Sequence, residues 1–254
     1  MTDGEKSTLE RELAYHEKLY AGSAQAHFSR PAVRAFRDHL AGRILSLTGV
    51  RKESRILSLG CGTGDAELVL APHVGELVGV DLSPAGVKQA REDARRLGIS
   101  NVDFIQGTLS AVQGRFDAVI AIFFLHHLSD QALLEVPDGV AERLRPSGLF
   151  YSLDPSAHRL SGKVGRLLIP GLMKKYQTED ERELDPAATA GLFRQRGFAV
   201  TPEVYDFGST PVAGLFPGWK FGYRLARRID DALLKVPPLR RWGSNFEILG
   251  RRVP

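Results

Sequence analysis

Three glycines and one aspartate have the types and spacing of a nucleoside-binding site. Gly60, Gly62 and Gly64 follow the apolar stretch 55–59, and a second apolar stretch ends at Asp81. Glycines let a backbone pass close to a ligand because they have no Cβ. A carboxylate 21 positions after the first glycine can accept hydrogen bonds from both hydroxyls of a ribose. The third glycine comes one residue too early for the G-x-G-x-x-G loop of dinucleotide sites, so the spacing favours another nucleoside ligand.

Apolar segments alternate with helical segments along most of the chain. Strands are predicted at 55–59, 77–80, 102–105, 116–122, 149–153, 198–207 and 245–251. Helices are predicted at 65–72, 84–97, 130–145 and 185–197. This alternation predicts an α/β fold with a parallel sheet covered by helices on both faces. Pro137 interrupts the third of these helices, so we expect a kink or two short helices there.

The remaining segments are expected to cap the sheet. We predict a single domain, 1–254, whose sheet core comprises about 50–155, 186–207 and 244–254. The cap segments are then about 1–48, 155–185 and 208–243. Ligands of open α/β sheets bind at the carboxyl ends of the strands. We therefore expect the cap segments to cover that edge.

Further motifs follow the glycine loop in a fixed order, at 81–84, 101–107, 116–120, 125–128 and 144–150. Over 55–154 the chain resembles the class I S-adenosylmethionine-dependent methyltransferases, especially the small-molecule group with type 11-like domains. The resemblance implies a Rossmann-like, seven-stranded, mostly parallel sheet whose last strand is antiparallel and lies between strands five and six. It also implies S-adenosylmethionine as the cofactor.

The resemblance assigns the cofactor contacts residue by residue. They are expected at Gly60, Cys61, Gly62, Gly64, Asp81, Leu82, Thr108, Leu109 and Ala121, with Tyr20 and His27 from the preceding helix. Two positions depart from the family pattern, because Ser58 and Thr108 stand where most members have acidic residues. We hypothesise that Glu67 or Asp65 supplies the missing charge.

Candidate catalytic residues follow the fourth and fifth strands. His126 and His127 come directly after the fourth strand, and a histidine can take a proton from a nucleophile at neutral pH. We favour His127 as the base, while a structural contact remains open for either residue. Asp154 ends the fifth strand and is a candidate for binding a substrate amine or hydroxyl, with a turn-forming role as the alternative.

Aromatic residues in the cap segments could enclose an apolar acceptor or attract a sulfonium. Trp219 is the candidate substrate contact among them, and ordinary packing is the alternative. We expect no metal site, since the single cysteine and seven histidines lack ligand spacing.

Composition limits the class of protein and reveals a basic tail. The 254 residues are 43% hydrophobic and carry a net charge of +4. Residues 219–254 hold nine lysines or arginines against three acids. Such a cluster could contact a phosphate, an anionic membrane surface or a nucleic acid, or form a solvated helix face. The single cysteine and the absence of a signal-like or spanning apolar run indicate a cytoplasmic protein, with the oligomeric state left open.

Together these observations predict methyl transfer from S-adenosylmethionine to an O, N or C nucleophile of a small, partly apolar metabolite, such as a natural product or a lipid-like molecule. Transient contact with a membrane surface is possible through the basic tail. One alternative is an RNA or protein methyltransferase that uses this tail, although no motif of base-amine methylation follows the fourth strand and nucleic acid is the less favoured partner. The other is a catalytically degenerate protein that binds the cofactor.

Overall fold

The computed structural model describes residues 13, 14, 17, 29–160 and 182–253. The predicted cofactor contacts Tyr20 and His27 lie outside the described residues, as does most of the cap segment 155–185. No helix in the described part of the chain is long and apolar enough to span a bilayer.

Seven strands form one sheet in the order β3-β2-β1-β4-β5-β7-β6. Their bounds are β1 Arg55–Leu59, β2 Glu76–Asp81, β3 Val102–Gln106, β4 Phe116–Ile122, β5 Leu144–Pro155, β6 Phe198–Asp206 and β7 Asn245–Arg252. β7 pairs antiparallel with both β5 and β6, whereas β1 to β5 pair in parallel. This arrangement confirms the predicted fold class, including the place of the last strand.

The α-helices within 29–160 and 182–253 lie between and around these strands. They are α1 Pro31–Thr48, α2 Glu67–Leu70, α3 Pro84–Leu97, α4 Asp130–Arg143, α5 Pro186–Arg194, α6 Ser209–Leu215 and α7 Lys220–Leu233. α3 has the predicted bounds because both ends carry strong local signals. Ser83 Oγ accepts the Gly86 N–H at 2.9 Å, and Gly98 ends the helix in the left-handed region at φ 68°.

α4 is one helix with Pro137 inside it, so of the two alternatives expected there, a kink or two short helices, the second is wrong. Leu133, Pro137 and Val140 form its buried stripe. Burial of the proline ring in the core offsets the free-energy cost of the helical hydrogen bond that a proline cannot donate.

The two faces of the sheet carry separate apolar clusters. One cluster includes Phe116, Phe150 and Phe193, with the last two rings stacked at 4.4 Å between centroids. The opposite cluster joins the inner residues of α1 with strand residues and with Ala213 of α6 and Tyr223 of α7. α1 therefore packs against this face of the sheet, and α6 and α7 pack mainly against α1. The predicted cover over the carboxyl edge remains a prediction. The apolar period of α1 provides a complete inner stripe, and a sheet face buries that stripe more fully than an edge does.

An ion pair between a partly exposed arginine and a buried carboxylate fixes α1 to β7. Arg43 Nε donates to both carboxylate oxygens of Glu247 at 2.9 and 2.8 Å, and Tyr151 OH donates to the same carboxylate at 3.1 Å. The Glu247 side chain is only 3% exposed. The carboxylate therefore depends on these donors for its solvation.

Arg43→Ala is expected to lower the free energy of unfolding by about 3 kcal/mol, because it leaves the Glu247 carboxylate buried without its cation. Urea denaturation measures the change. Arg51→Ala, at an exposed site just after α1, is the matched control and should change stability by less than about 0.5 kcal/mol. Equal stability of the two variants would contradict a structural role for the pair.

Candidate functional site

The glycine loop turns sharply between β1 and α2. Gly60, Gly62 and Gly64 have φ values of 65°, 51° and 75°, which strain any residue with a side chain. The N–H groups of Gly60 and Cys61 donate to the Val80 carbonyl at 2.9 and 3.2 Å, which ties the loop to the end of β2. A Cβ on Gly60 would lie 2.2 Å from the Phe124 ring. The loop therefore requires glycine both for its turn and for close approach.

Asp81 lies at the end of β2 beside this loop. Its Oδ2 accepts the Gly62 N–H at 2.8 Å, and its Oδ1 accepts the Ser83 N–H at 2.8 Å. The carboxylate is thus held by the backbone and stays partly exposed, with lone pairs left for further donors. Leu82 is 37% exposed directly after it and offers an apolar surface next to the carboxylate. A ribose at Asp81 and an adjoining base near Leu82 remain predictions.

Ser58 and Glu67 form a buried polar pair behind the loop. Ser58 Oγ donates to Glu67 Oε1 at 2.6 Å, and both residues are at most 3% exposed. Burial raises the pKa of Glu67 to about 7, while the bond from Ser58 and the charge of Arg37 act in the opposite direction. Asp65, the other candidate for replacement charge, forms an ion pair with Arg37. The carboxyl nearest to Ser58 is therefore that of Glu67.

The other predicted cofactor contacts have different surroundings. Thr108 is exposed, and its hydroxyl lies 2.7 Å from the Ser110 hydroxyl. Leu109 packs over Gly139, where an added Cβ would lie 2.5 Å from Leu109 Cδ2. Ala121 is fully buried in β4, opposite Leu59. Contacts of these three residues with the cofactor remain predictions.

The Cys61 thiol points away from the loop surface. Its Sγ lies against Gly79, and the residue belongs to a small apolar cluster with Phe104 and Ala90. Burial raises the pKa of this thiol well above its ordinary value. Cys61 can therefore contribute its backbone to a cofactor site while its sulfur remains protonated.

His126 and Asp154 form a buried pair at the carboxyl ends of β4 and β5. Asp154 Oδ1 accepts the backbone N–H of His126 at 3.2 Å and lies 3.0 Å from the His126 ring Nδ1. Asp154 is fully buried, and its Oδ2 hydrogen-bonds to none of the described residues. Burial raises the pKa of Asp154 to about 8, opposed by the bond from His126 and the charge of His127. At neutral pH the pair therefore keeps a proton.

His127 lies beside this pair and is more accessible. Its ring centroid is 4.0 Å from that of His126, and its side chain is only partly buried. The preceding Phe123 has φ 51°, in the left-handed region that a bulky side chain rarely adopts. Such strain is typical of residues held at functional sites. The sequence named His126, His127 and Asp154 separately, and the structure brings them together.

Trp219 precedes α7 and is 53% exposed. Its ring packs on Gly222, and its centroid is 6.1 Å from that of Phe216. A substrate contact at Trp219 remains a prediction.

Comparison with known proteins identifies the family. Residues 56–148 match the model of a methyltransferase domain. The uncharacterized methyltransferase YcgJ of Bacillus subtilis is 33% identical over 118 residues, which cover 44% of this chain and 45% of that protein. The match thus spans less than half of that relative. The demethylmenaquinone methyltransferase of Geobacillus kaustophilus is 30% identical over 221 residues, covering 77% of this chain and 92% of that protein. The chain belongs to the class I S-adenosylmethionine-dependent methyltransferases.

Solved structures of methyltransferases share this fold. The crystal structure of magnesium protoporphyrin IX methyltransferase from Synechocystis PCC 6803, with bound S-adenosylhomocysteine, superposes with a TM-score of 0.59 at 15% identity. The superposition covers 87% of this chain and 84% of the chain of that methyltransferase. This methyltransferase uses S-adenosylmethionine as its cofactor, as the sequence predicted.

Two features of the site could not be recognised from the motifs alone. Glu67 occurs nine positions after Ser58, and the sequence offered Asp65 equally. Only the fold shows that Asp65 pairs with Arg37 and that Glu67 meets Ser58. Similarly, the contact between His126 and Asp154 spans 28 positions and depends on the pairing of β4 with β5.

Proposed function

We propose that this methyltransferase acts on an O, N or C nucleophile of a small, partly apolar acceptor of lipid-like or natural-product character. The observation that carries the acceptor class is the match with demethylmenaquinone methyltransferase, of which the chain covers 92%. The acceptor in that relative's name is a small apolar molecule. A methyltransferase of this kind needs an apolar surface near the reacting atoms, and Phe123 and Phe124 supply one after β4.

His127 is proposed to take the proton of the acceptor. It is the accessible member of the pair of adjacent histidines, and His126 behind it is held by Asp154. A buried carboxyl that fixes the His126 imidazole also restrains the His127 ring packed beside it, since the two centroids are 4.0 Å apart. Asp154 therefore acts through His126 in this proposal. A substrate would reach the carboxyl itself only after displacing the imidazole.

The bound cofactor supplies a methyl carbon already activated by a positive sulfur. The residues of this chain then position the reactants and handle the proton. Asp81 holds the ribose hydroxyls, and the glycine loop lets the cofactor approach the backbone closely. His127 takes the proton that the nucleophilic atom of the acceptor loses. Glu67 is proposed to face the cofactor's ammonium group, because its carboxyl lies against Ser58, where most family members have an acid.

An acceptor screen tests the proposed function. The enzyme is incubated with S-adenosylmethionine and demethylated quinols, phenols, amines or lipid-like alcohols, and release of S-adenosylhomocysteine is measured. We expect turnover with an apolar acceptor and a product heavier by one methylene in mass spectrometry. Turnover only with RNA or protein would contradict the small-molecule assignment.

Glu67→Gln is expected to weaken binding of S-adenosylmethionine and to remove a pH dependence. A carboxyl with a pKa of about 7 becomes ionised as pH rises, and only the ionised form attracts an ammonium group. Wild-type affinity should therefore rise roughly tenfold between about pH 6 and about pH 8. Affinity of the glutamine variant should stay low and nearly constant in isothermal titration calorimetry.

Stability provides the control for this pH effect. A carboxyl whose pKa is raised in the folded state destabilises the fold as pH rises from its unfolded value toward about 7. Glu67→Gln should then be at least as stable as the wild type at about pH 8, so weaker binding cannot reflect unfolding. Equal pH dependence in both proteins would contradict the role of Glu67.

A further inference from the structure

The outward face of α7 is divided into an apolar half and a basic half. Phe221, Leu225 and Ile229 are 70%, 46% and 51% exposed. They recur every four residues and therefore form one stripe along the helix. A second stripe with the same spacing lies next to it and consists of the exposed residues Lys220, Arg224 and Arg228.

The inner face of α7 is fixed to the rest of the protein. Tyr223 is buried, and Arg227 Nη1 donates to the Tyr205 carbonyl at 3.0 Å. Asp230 Oδ2 accepts the Ser209 N–H at 2.8 Å at the start of α6. Because these contacts set the rotation of the helix, the apolar stripe cannot turn inward and stays in contact with water.

Exposed apolar side chains continue on both sides of this helix. Phe216 and Trp219 precede it at 54% and 53% exposure, and Val236 and Trp242 follow at 43% and 40%. Of the twelve large hydrophobic residues that are exposed in the described part of the chain, seven thus fall within 216–242. Exposed apolar side chains concentrated in this way indicate an interaction site.

We propose that the α7 surface, formed by Lys220, Phe221, Arg224, Leu225, Arg228 and Ile229, docks the enzyme on an anionic lipid bilayer. A helix with aromatic and aliphatic residues on one side and lysine or arginine on the other lies in the interface of such a bilayer. The apolar half enters the acyl boundary, and the basic half contacts the anionic headgroups.

The charge of this surface favours a bilayer over a second copy of the chain or a nucleic acid. In a twofold contact with a second copy, the row of Lys220, Arg224 and Arg228 would face its own copy and repel it. A nucleic acid would match the basic half and leave Phe221 and Leu225 in water. A bilayer with anionic lipids satisfies both halves, and this docking does not depend on the acceptor proposed above.

Vesicle binding by the full chain tests this proposal. The probes are phosphatidylcholine vesicles with and without about 30 mol% phosphatidylglycerol. The chain has two tryptophans, Trp219 and Trp242, and both belong to the exposed stretch around α7. Their fluorescence should shift to the blue with anionic vesicles only, and added salt should reverse the shift.

Variants of the apolar half provide the sharper test. F221S/L225S should reduce partitioning into anionic vesicles at least about tenfold in a sedimentation assay, because two large apolar side chains no longer enter the interface. The control L97S/L134S changes leucines that are also half exposed, on α3 and α4, and should bind like the wild type.

Variants of the basic half separate charge from apolar contact. The variant K220Q/R224Q/R228Q should lose about tenfold or more of its affinity for anionic vesicles and its response to salt. The control R51Q/K88Q/R95Q removes three other exposed cations. It should retain full binding.

Several results would overturn the proposal. One is wild-type protein that fails to bind anionic vesicles, and another is F221S/L225S binding as well as its control. A dimer that F221S/L225S dissociates, without vesicle binding, would assign the surface to a second copy. RNA binding lost in K220Q/R224Q/R228Q, again without vesicle binding, would assign it to nucleic acid. Affinity for S-adenosylmethionine should be unchanged in all these variants, so the outcome is independent of the proposed acceptor.

Discussion

Asp81→Ala is expected to lower the affinity for S-adenosylmethionine at least about tenfold, because each hydrogen bond from a ribose hydroxyl to a carboxylate contributes roughly 1.5 to 3 kcal/mol. The residue lies at the end of β2, where its loss removes no core packing. Isothermal titration calorimetry with S-adenosylmethionine and S-adenosylhomocysteine measures the effect.

Two comparisons make this result specific. Asp103→Ala removes an exposed carboxylate on the neighbouring strand β3 and should leave cofactor affinity unchanged. Asp81→Asn keeps one acceptor oxygen for the Gly62 N–H and should fall between the wild type and the alanine variant. An unaltered dissociation constant in Asp81→Ala, with normal thermal unfolding, would disprove the ribose assignment.

His127→Ala is expected to reduce kcat by roughly 10²- to 10⁴-fold, the usual contribution of a general base. The turnover of the wild type should rise with pH, since only the neutral ring can accept a proton. The variant should lose this rise and keep its affinity for the cofactor. Steady-state kinetics with an acceptor from the screen, over a range of pH, measures both effects.

Asp154→Asn distinguishes positioning from direct catalysis. The amide still fits the buried site and can accept the His126 N–H, but it cannot hold or release the proton that the His126–Asp154 pair keeps at neutral pH. We expect a lower kcat with a small change in KM, because the two adjacent histidines lose their fixed orientation. For His127→Ala, nearly normal turnover and an unchanged pH profile would contradict its role as the base. The base would then be His126, or positioning of the reactants alone would accelerate methyl transfer.

The elements near the cofactor loop could be predicted well because short-range signals define them. β1 and β4 have the predicted bounds, and α3 begins after Ser83 and ends before Gly98, as expected. Such signals depend on residues only a few positions apart. They cannot show that Pro137 is accommodated inside α4, because that depends on the core packed around the ring.

The site could be predicted only in part, for the same reason. The glycine loop and Asp81 come from one local motif, and the fold keeps them together through the Gly62 N–H. The pairs Ser58–Glu67 and His126–Asp154 form because the fold brings these side chains together, while competing side chains such as Asp65 have other partners. The position of α1 on the sheet, and of α6 and α7 against α1, depends on which apolar side chains meet in the fold, and spacing along the chain does not determine it.

The buried thiol of Cys61 can report on the opening of the glycine loop. It is the only cysteine of the chain, and it lies behind the loop against Gly79, with a pKa raised well above the ordinary value. Because the sulfur is buried, an alkylating reagent can reach it only when the loop opens. The thiol must then ionise, since the thiolate is the reactive form. The alkylation rate therefore measures the opening frequency of one defined turn, without any introduced label. Ligands that rest on the loop should slow this reaction, and ligands that bind elsewhere should not.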